Sequence, residues 1–168
     1  MKHLILSAFG PDKPGIVSHL SGVITNHGGN VEESRMIRLG ADFAMIVLIS
    51  VPEDWVESLS VALNGIQELS ITTRQTTPGE DTTSHPNCQL QLSGADNEGL
   101  VHAVTEKLAE LDINIEEMET ETENAPVSGT ILFTMNAKVS HPQLDTNRLE
   151  HDMNILGDKL GVEILVGD

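Results

Sequence analysis

The chain has 168 residues and a formal net charge of −17, from 26 acidic and 9 basic side chains. A surface this acidic repels phosphate backbones, which argues against direct nucleic-acid binding through non-specific charge. The single cysteine, Cys88, excludes an internal disulfide, and no apolar run approaches the ~18 residues that a membrane span needs.

Residues 4–9 are short, apolar and closed by Gly10-Pro11, the pattern of a mostly buried strand. A helix is then expected from Asp12 or Lys13, with Asp12 as its cap and Pro14 tolerated in the first turn. Its apolar stripe is Val17, Leu20 and Ile24, and Gly28-Gly29 ends it. Residues 30–39 read as a strand, Gly40-Ala41-Asp42 as a tight turn, and residues 43–51 as a returning strand. Asp54-Trp55-Val56-Glu57 has the spacing of a reciprocal cap and predicts a second helix with Val56, Leu59, Leu63 and Ile66 inward. A strand over 69–75 closes the unit.

Residues 77–87 are polar, contain Pro78, Gly79 and Pro86, and lack periodicity, as a linker does. The same order then returns: a strand at 88–93, a helix at 97–111 with stripe Val101, Val104, Leu108 and Leu111, and strands at 114–123 and 130–139 around a loop holding Asn124, Pro126 and Gly129. A helix over 145–160, with Leu149, Met153, Leu156 and Leu160 inward, and a strand over 162–166 complete it. Strand, helix, strand, strand, helix, strand is the split βαβ order of a ferredoxin-like α+β domain, an antiparallel sheet with both helices on one face. Two tandem copies are expected, at 1–76 and 88–168, each small enough to favour packing or self-association. Charge divides unevenly between them: 5 basic and 8 acidic side chains in 1–76, against 4 and 16 in 88–168.

Duplication is also visible residue by residue. Gly10-Pro11-Asp12-Lys13-Pro14-Gly15-Ile16-Val17 recurs 84 positions later as Gly94-Ala95-Asp96-Asn97-Glu98-Gly99-Leu100-Val101, and Asn30-Val31-Glu32-Glu33 as Asn114-Ile115-Glu116-Glu117. A strand followed by Gly-x-Asp-x-x-Gly and a helix gathers free backbone amides at a helix start, which suits a carboxylate or another anion. Gly10, Gly15, Gly94 and Gly99 let a ligand or a neighbouring backbone approach closely. Asn30 and Asn114 open the next strand, which is expected near that helix start, and Asp12 or Asp96 can face an ammonium group. That mixture matches a small zwitterion, an amino acid. The same residues also work without any ligand, Asp as a cap and Gly as a turn residue.

The order of elements, the Gly-x-Asp-x-x-Gly-[Ile/Leu]-Val turn and the Asn-[Val/Ile] start of the next strand resemble the ACT domain. The tandem pair is similar to the glycine cleavage system transcriptional repressor family. The resemblance spans nearly the whole chain and is sharper in the first copy than in the second, where Glu98 replaces Pro14. It implies a non-enzymatic regulatory module in which amino acids bind where the helix-1 turn of one domain meets strand 2 of its neighbour. Carried over, Gly10, Asp12, Lys13, Gly15 and Asn30 would line one site, and Gly94, Asp96, Asn97, Gly99 and Asn114 the other. The ligand would be glycine or another small amino acid, and the partner a transcription factor or an enzyme. Implied alternatives are a ligand-free oligomerisation module and the regulatory subunit of an amino-acid metabolic enzyme. A homo-oligomer is expected, with no cofactor and no membrane.

The other constellations are weak. Seven histidines supply no third ligand at metal spacing, and His85 with Cys88 offers two ligands where structural zinc takes four. Alternation from Glu117 to Glu123 puts four carboxylates on one strand face, read as a solvated surface. The corresponding strand of the first copy carries Arg35 and Arg38 instead. Met1-Lys2-His3-Leu4-Ile5-Leu6 has neither the apolar core nor the small-residue cleavage site of a secretion signal, so a cytoplasmic location is expected.

Overall fold

The computed structural model describes residues 1–77, 85–125 and 130–167. The chain divides into two compact units, Met1–Glu80 and Asp81–Asp168. Most of the predicted linker, and Pro126 and Gly129 of the predicted long loop, lie outside the described residues.

In the first unit, β1 (Lys2–Pro11), α1 (Ile16–Asn26), β2 (Asn30–Leu39), β3 (Asp42–Val51), α2 (Val56–Asn64) and β4 (Ser70–Thr76) build a sheet ordered β2-β3-β1-β4. All its pairings are antiparallel. Alternation along β1 sends Leu4, Leu6 and Ala8 to one face, where they meet Val47, Ile49, Leu20, Ile24, Leu59 and Leu63 in a buried aliphatic core. Both helices therefore cover that one face.

The second unit repeats this with β5 (Asn87–Ala95), α3 (Leu100–Glu110), β6 (Asn114–Asn124), β7 (Ile131–Ser140), α4 (Thr146–Leu160) and β8 (Val162–Gly167), in the order β6-β7-β5-β8. Leu90, Leu92, Val104, Leu108, Met135, Val139, Leu149 and Met153 fill its core. The fold is thus two βαββαβ ferredoxin-like units, as the element order predicts.

Three local expectations are corrected. Asp12 does not cap α1: the helix starts three residues later than expected, at Ile16, from Gly15 with φ 92°, and no side-chain cap bond forms. Asn97 likewise lies before α3, whose N-cap is Gly99 with φ 85°. Starting α1 at Ile16 puts the core-facing arc at Ile16, Leu20 and Ile24, and leaves Val17 39% exposed. Asp54 does not cap α2 either, because Glu53–Trp55 first makes a 3-10 turn and the helix begins at Val56. Asp145 is a true cap, its carboxylate accepting the Arg148 N–H at 3.0 Å.

Two features of the repeat concern backbone shape. α1 turns into β2 through Gly28 at φ 67°, and α3 into β6 through Asp112 at φ 57°, so the second copy holds a non-glycine residue in the left-handed region. Both inner edges bulge at a glutamate, Glu32 and Glu116, where the register slips. Glu32 reaches His3 Nε2 at 3.4 Å and Glu116 reaches Lys138 Nζ at 3.1 Å. Hydrogen bonds from Ser140 and then Lys138 hold the Glu116 carboxyl below the usual carboxylate range.

Candidate functional site

The repeated turn is a connection of four residues between a strand end and a helix start. In the first unit the chain leaves β1 at Pro11, and the Asp12 N–H donates to the Ala41 carbonyl at 2.9 Å, tying the turn to the β2–β3 hairpin. The Asp12 carboxylate lies 3.5 Å from an Arg38 guanidinium nitrogen, Arg38 being near the end of β2. Lys13 Nζ donates to Glu68 Oε1 at 2.7 Å. That hydrogen bond, and then the lysine's charge, hold the Glu68 carboxyl below its ordinary value. Arg38 and Glu68 were not among the predicted site residues. The signal for Arg38 is topological, since the end of β2, not its start, comes back to the helix N-terminus.

That geometry separates Asn30 from the turn of its own unit. Asn30 pairs with Ser50 and thence with His3, while Gly10 pairs with Phe43 at the other end of the sheet. Ser50 and Phe43 are seven positions apart along β3, about 23 Å of strand. The expectation that Asn30 lies near its own helix start is corrected: the intervening helix carries the chain back along the sheet before β2 begins. Asn114 stands likewise, pairing with Ser140 while Gly94 pairs with Phe133. Each unit therefore brings together its Gly, Asp and second Gly, with Lys13 or Asn97, and leaves its Asn at the far end.

The four glycines divide into two roles. A Cβ on Gly10 would stand 2.6 Å from the Glu68 carbonyl oxygen and 2.9 Å from Leu69 Cδ2; one on Gly94 would stand 2.6 Å from Val162 Cγ1. Neighbouring protein occupies that space, so close approach at Gly10 and Gly94 is made by their own unit. Gly15 and Gly99 have nothing within 4 Å of a Cβ and are required by their positive φ instead. With glycine at the N-cap, no side chain accepts the first-turn amides of α1 or α3; the Ile16 N–H turns back to the Lys13 carbonyl at 3.4 Å, so in α1 the amides of Val17 and Ser18 keep the anion-attracting end of the helix open.

The two copies differ in charge. Asp12 and Lys13 are both in ion pairs, whereas Asp96 forms none among the described residues. Register places Thr122 opposite Phe133 where the first unit places Arg38 opposite Phe43. The Asp96 N–H repeats the Asp12 contact, donating to Ile131 at 3.0 Å. A recess of about 440 Å³ in the second unit is bordered by Gly94, Asn154, Asp158 and Glu163, but not by Asp96, Asn97 or Gly99. Of the histidines, His27 bonds through Nδ1 to the Val23 carbonyl at 2.8 Å and meets the Trp55 ring edge-on at 5.8 Å.

Comparison with known proteins agrees with this architecture. Residues 2–76 match the model of the ACT domain family. Over 129 residues the chain is 30% identical to the glycine cleavage system transcriptional repressor of Escherichia coli K12, covering 73% of this chain and 66% of that protein. The chain thus spans just under two thirds of the curated relative's length. A solved unknown protein from Galdieria sulphuraria is 34% identical, with a TM-score of 0.85 and coverage of 99% of this chain and 97% of that one. A solved putative glycine cleavage system transcriptional repressor, 22% identical, shares the fold at a TM-score of 0.74, over 99% of this chain and 96% of its own.

Proposed function

The chain is a tandem ACT-domain protein homologous to the glycine cleavage repressors, and from that premise we propose that it is a cytoplasmic, amino-acid-responsive regulator that acts by contact with another protein. The observation that carries the reading is the twice-built turn, in which a helix start capped by glycine presents open amides beside an aspartate. Such a turn meets the two ends of an amino acid with opposite chemistry: amides and the helix dipole for the carboxylate, Asp12 or Asp96 for the ammonium group. The first copy suits a zwitterion better. It adds the cations Lys13 and Arg38, whereas the second has Asn97 and Thr122 in the corresponding positions and Glu98 beside them.

Regulation then follows from linkage. A ligand that binds one arrangement of the protein more tightly shifts the population toward it, and a partner that distinguishes the arrangements reads the shift. A transcription factor is the partner this reading favours, with the repression exerted through it: the second copy alone carries a formal charge of −12 and repels DNA. Repression of the glycine cleavage type, with glycine as ligand, is the specific form proposed.

Thermal unfolding of the full chain against each of the twenty amino acids at millimolar concentration tests the sensor. A ligand present at about 100 times its dissociation constant adds about 2.7 kcal/mol of stability. A melting temperature that no amino acid moves, with no heat in calorimetry, overturns it and leaves a ligand-free oligomerisation module.

A further inference from the structure

The face of each sheet away from the helices is where the two copies differ most. In the first unit, register sets the side chains of that face in rows: Glu33–Leu48–Ile5–Arg74, then Arg35–Ile46–Ser7–Thr72, then Ile37–Ala44–Phe9–Ser70. Phe9 is 55% exposed, Ile46 48% and Ile37 46%, with Ile5, Ala44 and Leu48 half-buried around them. The equivalent rows of the second unit are Glu117–Lys138–Gln89–Gly167, Glu119–Asn136–Gln91–Leu165 and Glu121–Thr134–Ser93–Glu163. Position for position, Leu48, Ile46, Ile5 and Phe9 become Lys138, Asn136, Gln89 and Ser93. One fold thus carries a polar, acidic outer face suited to water and an apolar one that is not.

We infer that the outer sheet face of the first unit is a self-association surface, covered by the same face of a second copy of this chain. Charge selects the occupant. Two chains of −17 repel wherever their acidic surfaces meet, and the outer face of the second unit carries Glu117, Glu119, Glu121 and Glu163 against Lys138. The outer face of the first unit carries only Glu33, Arg35 and Arg74 in these rows, and Glu33 is already paired with Arg35 at 3.0 Å. Two such faces, each with one Glu against two Arg, repel far less than the acidic faces would, and they bury Phe9, Ile37 and Ile46. Among those rows the face of the second unit offers these side chains only Leu165 as an exposed apolar counterpart.

Area agrees. A face of three ten-residue strands and one of seven spans about 33 by 19 Å at its widest, or ~600 Å² in projection, about three quarters of the ~800 Å² per partner of a stable interface. Sheets packed face to face bury their inner side chains in a layer about 10 Å thick, and a two-fold axis sets the same patch of each copy against the other. This names the surface for the self-association expected of the fold, and it holds whether or not an amino acid binds.

The test is the mass of the full chain at about 100 μM by light scattering and analytical ultracentrifugation, with amino-acid response followed separately by thermal shift. Ile46→Glu, at a half-exposed site, should at least halve the mass, and Phe9→Ser with Ile37→Glu, which gives both positions the residues of the second unit, should do the same. Leu165→Glu, on the outer face of the second unit, should leave the mass unchanged. Helical circular dichroism and a cooperative melt confirm that each variant is folded. A wild-type chain that is monomeric, a mass unmoved by both first-unit variants, or a mass that falls only with Leu165→Glu overturns the inference. A wild-type chain that answers no amino acid, but whose mass falls with both first-unit variants, would count against the proposed sensor and support this surface.

Discussion

Replacing Gly10 by alanine separates two explanations of the repeated glycine. If the residue is small so that a ligand can approach, the methyl group costs affinity and leaves stability alone. The structure gives the opposite outcome, since the new Cβ would stand 2.6 Å from the Glu68 carbonyl oxygen and 2.9 Å from Leu69 Cδ2. The nearer atom is backbone and the segment leads directly into β4 at Ser70, so neither strand can move away without disturbing the pairing of Phe9 with Ser70. Overpacking of this kind costs about 1–3 kcal/mol. In a unit of 75–80 residues each kcal/mol lowers the melting temperature by about 4–8 °C. Gly94→Ala should behave alike, because Val162 Cβ and Cγ1 lie within 2.9 Å and a β-branched side chain has few rotamers to retreat into. Gly22→Ala is the control: it lies within α1, has no atom within 4 Å of the added Cβ and no positive φ, and should stabilise by about 0.5–1 kcal/mol. Urea unfolding with m-values measures all three. Gly10→Ala that melts with wild type while amino-acid affinity falls would refute the packing account.

Two further tests follow from the caps and from one ion pair. Asp145→Ala removes the one aspartate seen to cap a helix and should cost about 1 kcal/mol in chemical denaturation, whereas Asp12→Ala removes no cap and should cost clearly less. Equal losses would contradict the assignment. Lys13→Met should raise the Glu68 pKa toward the ordinary carboxylate value in a carbon-13 NMR titration, since the lysine is the cause of its depression. With the folded value below the unfolded one, the pair contributes stability above the unfolded pKa of about 4.3 and loses it as pH falls through the folded value. A Glu68 titration unmoved by Lys13→Met would show that the contact is not populated in solution.

The strands and helical stripes were legible because each element shows its own period or, in β1 and β3, a short apolar run bounded by turn residues. Helix starts were less so. Asp12 and Asp54 carry the chemistry of caps, but a glycine in the left-handed region and a 3-10 turn set where α1 and α2 begin, and neither is a composition signal. Val17, three residues before Leu20, lies at the rim of the buried arc formed by Ile16, Leu20 and Ile24, so spacing alone counts it inward. The misplacement of Asn30 is topological. Eleven residues of α1 return the chain by about 16 Å, so the residue that comes back to the turn is Arg38, which the sequence shows only as an exposed basic residue. The apolar outer face was present as near-continuous apolar runs in β1 and β3, but its contrast with the second copy appears only once register aligns Ile46 with Asn136 and Phe9 with Ser93.

The most direct measurement is an amide NMR titration of the full chain with the amino acid that most raises its melting temperature. The account predicts saturable shifts concentrated at the amides of Ile16, Val17 and Ser18, with Arg38 beside them, and weaker or absent shifts at Leu100, Val101 and His102. Shifts centred on the recess beside Asn154 and Asp158, or no saturable shift with any of the twenty amino acids, would contradict it.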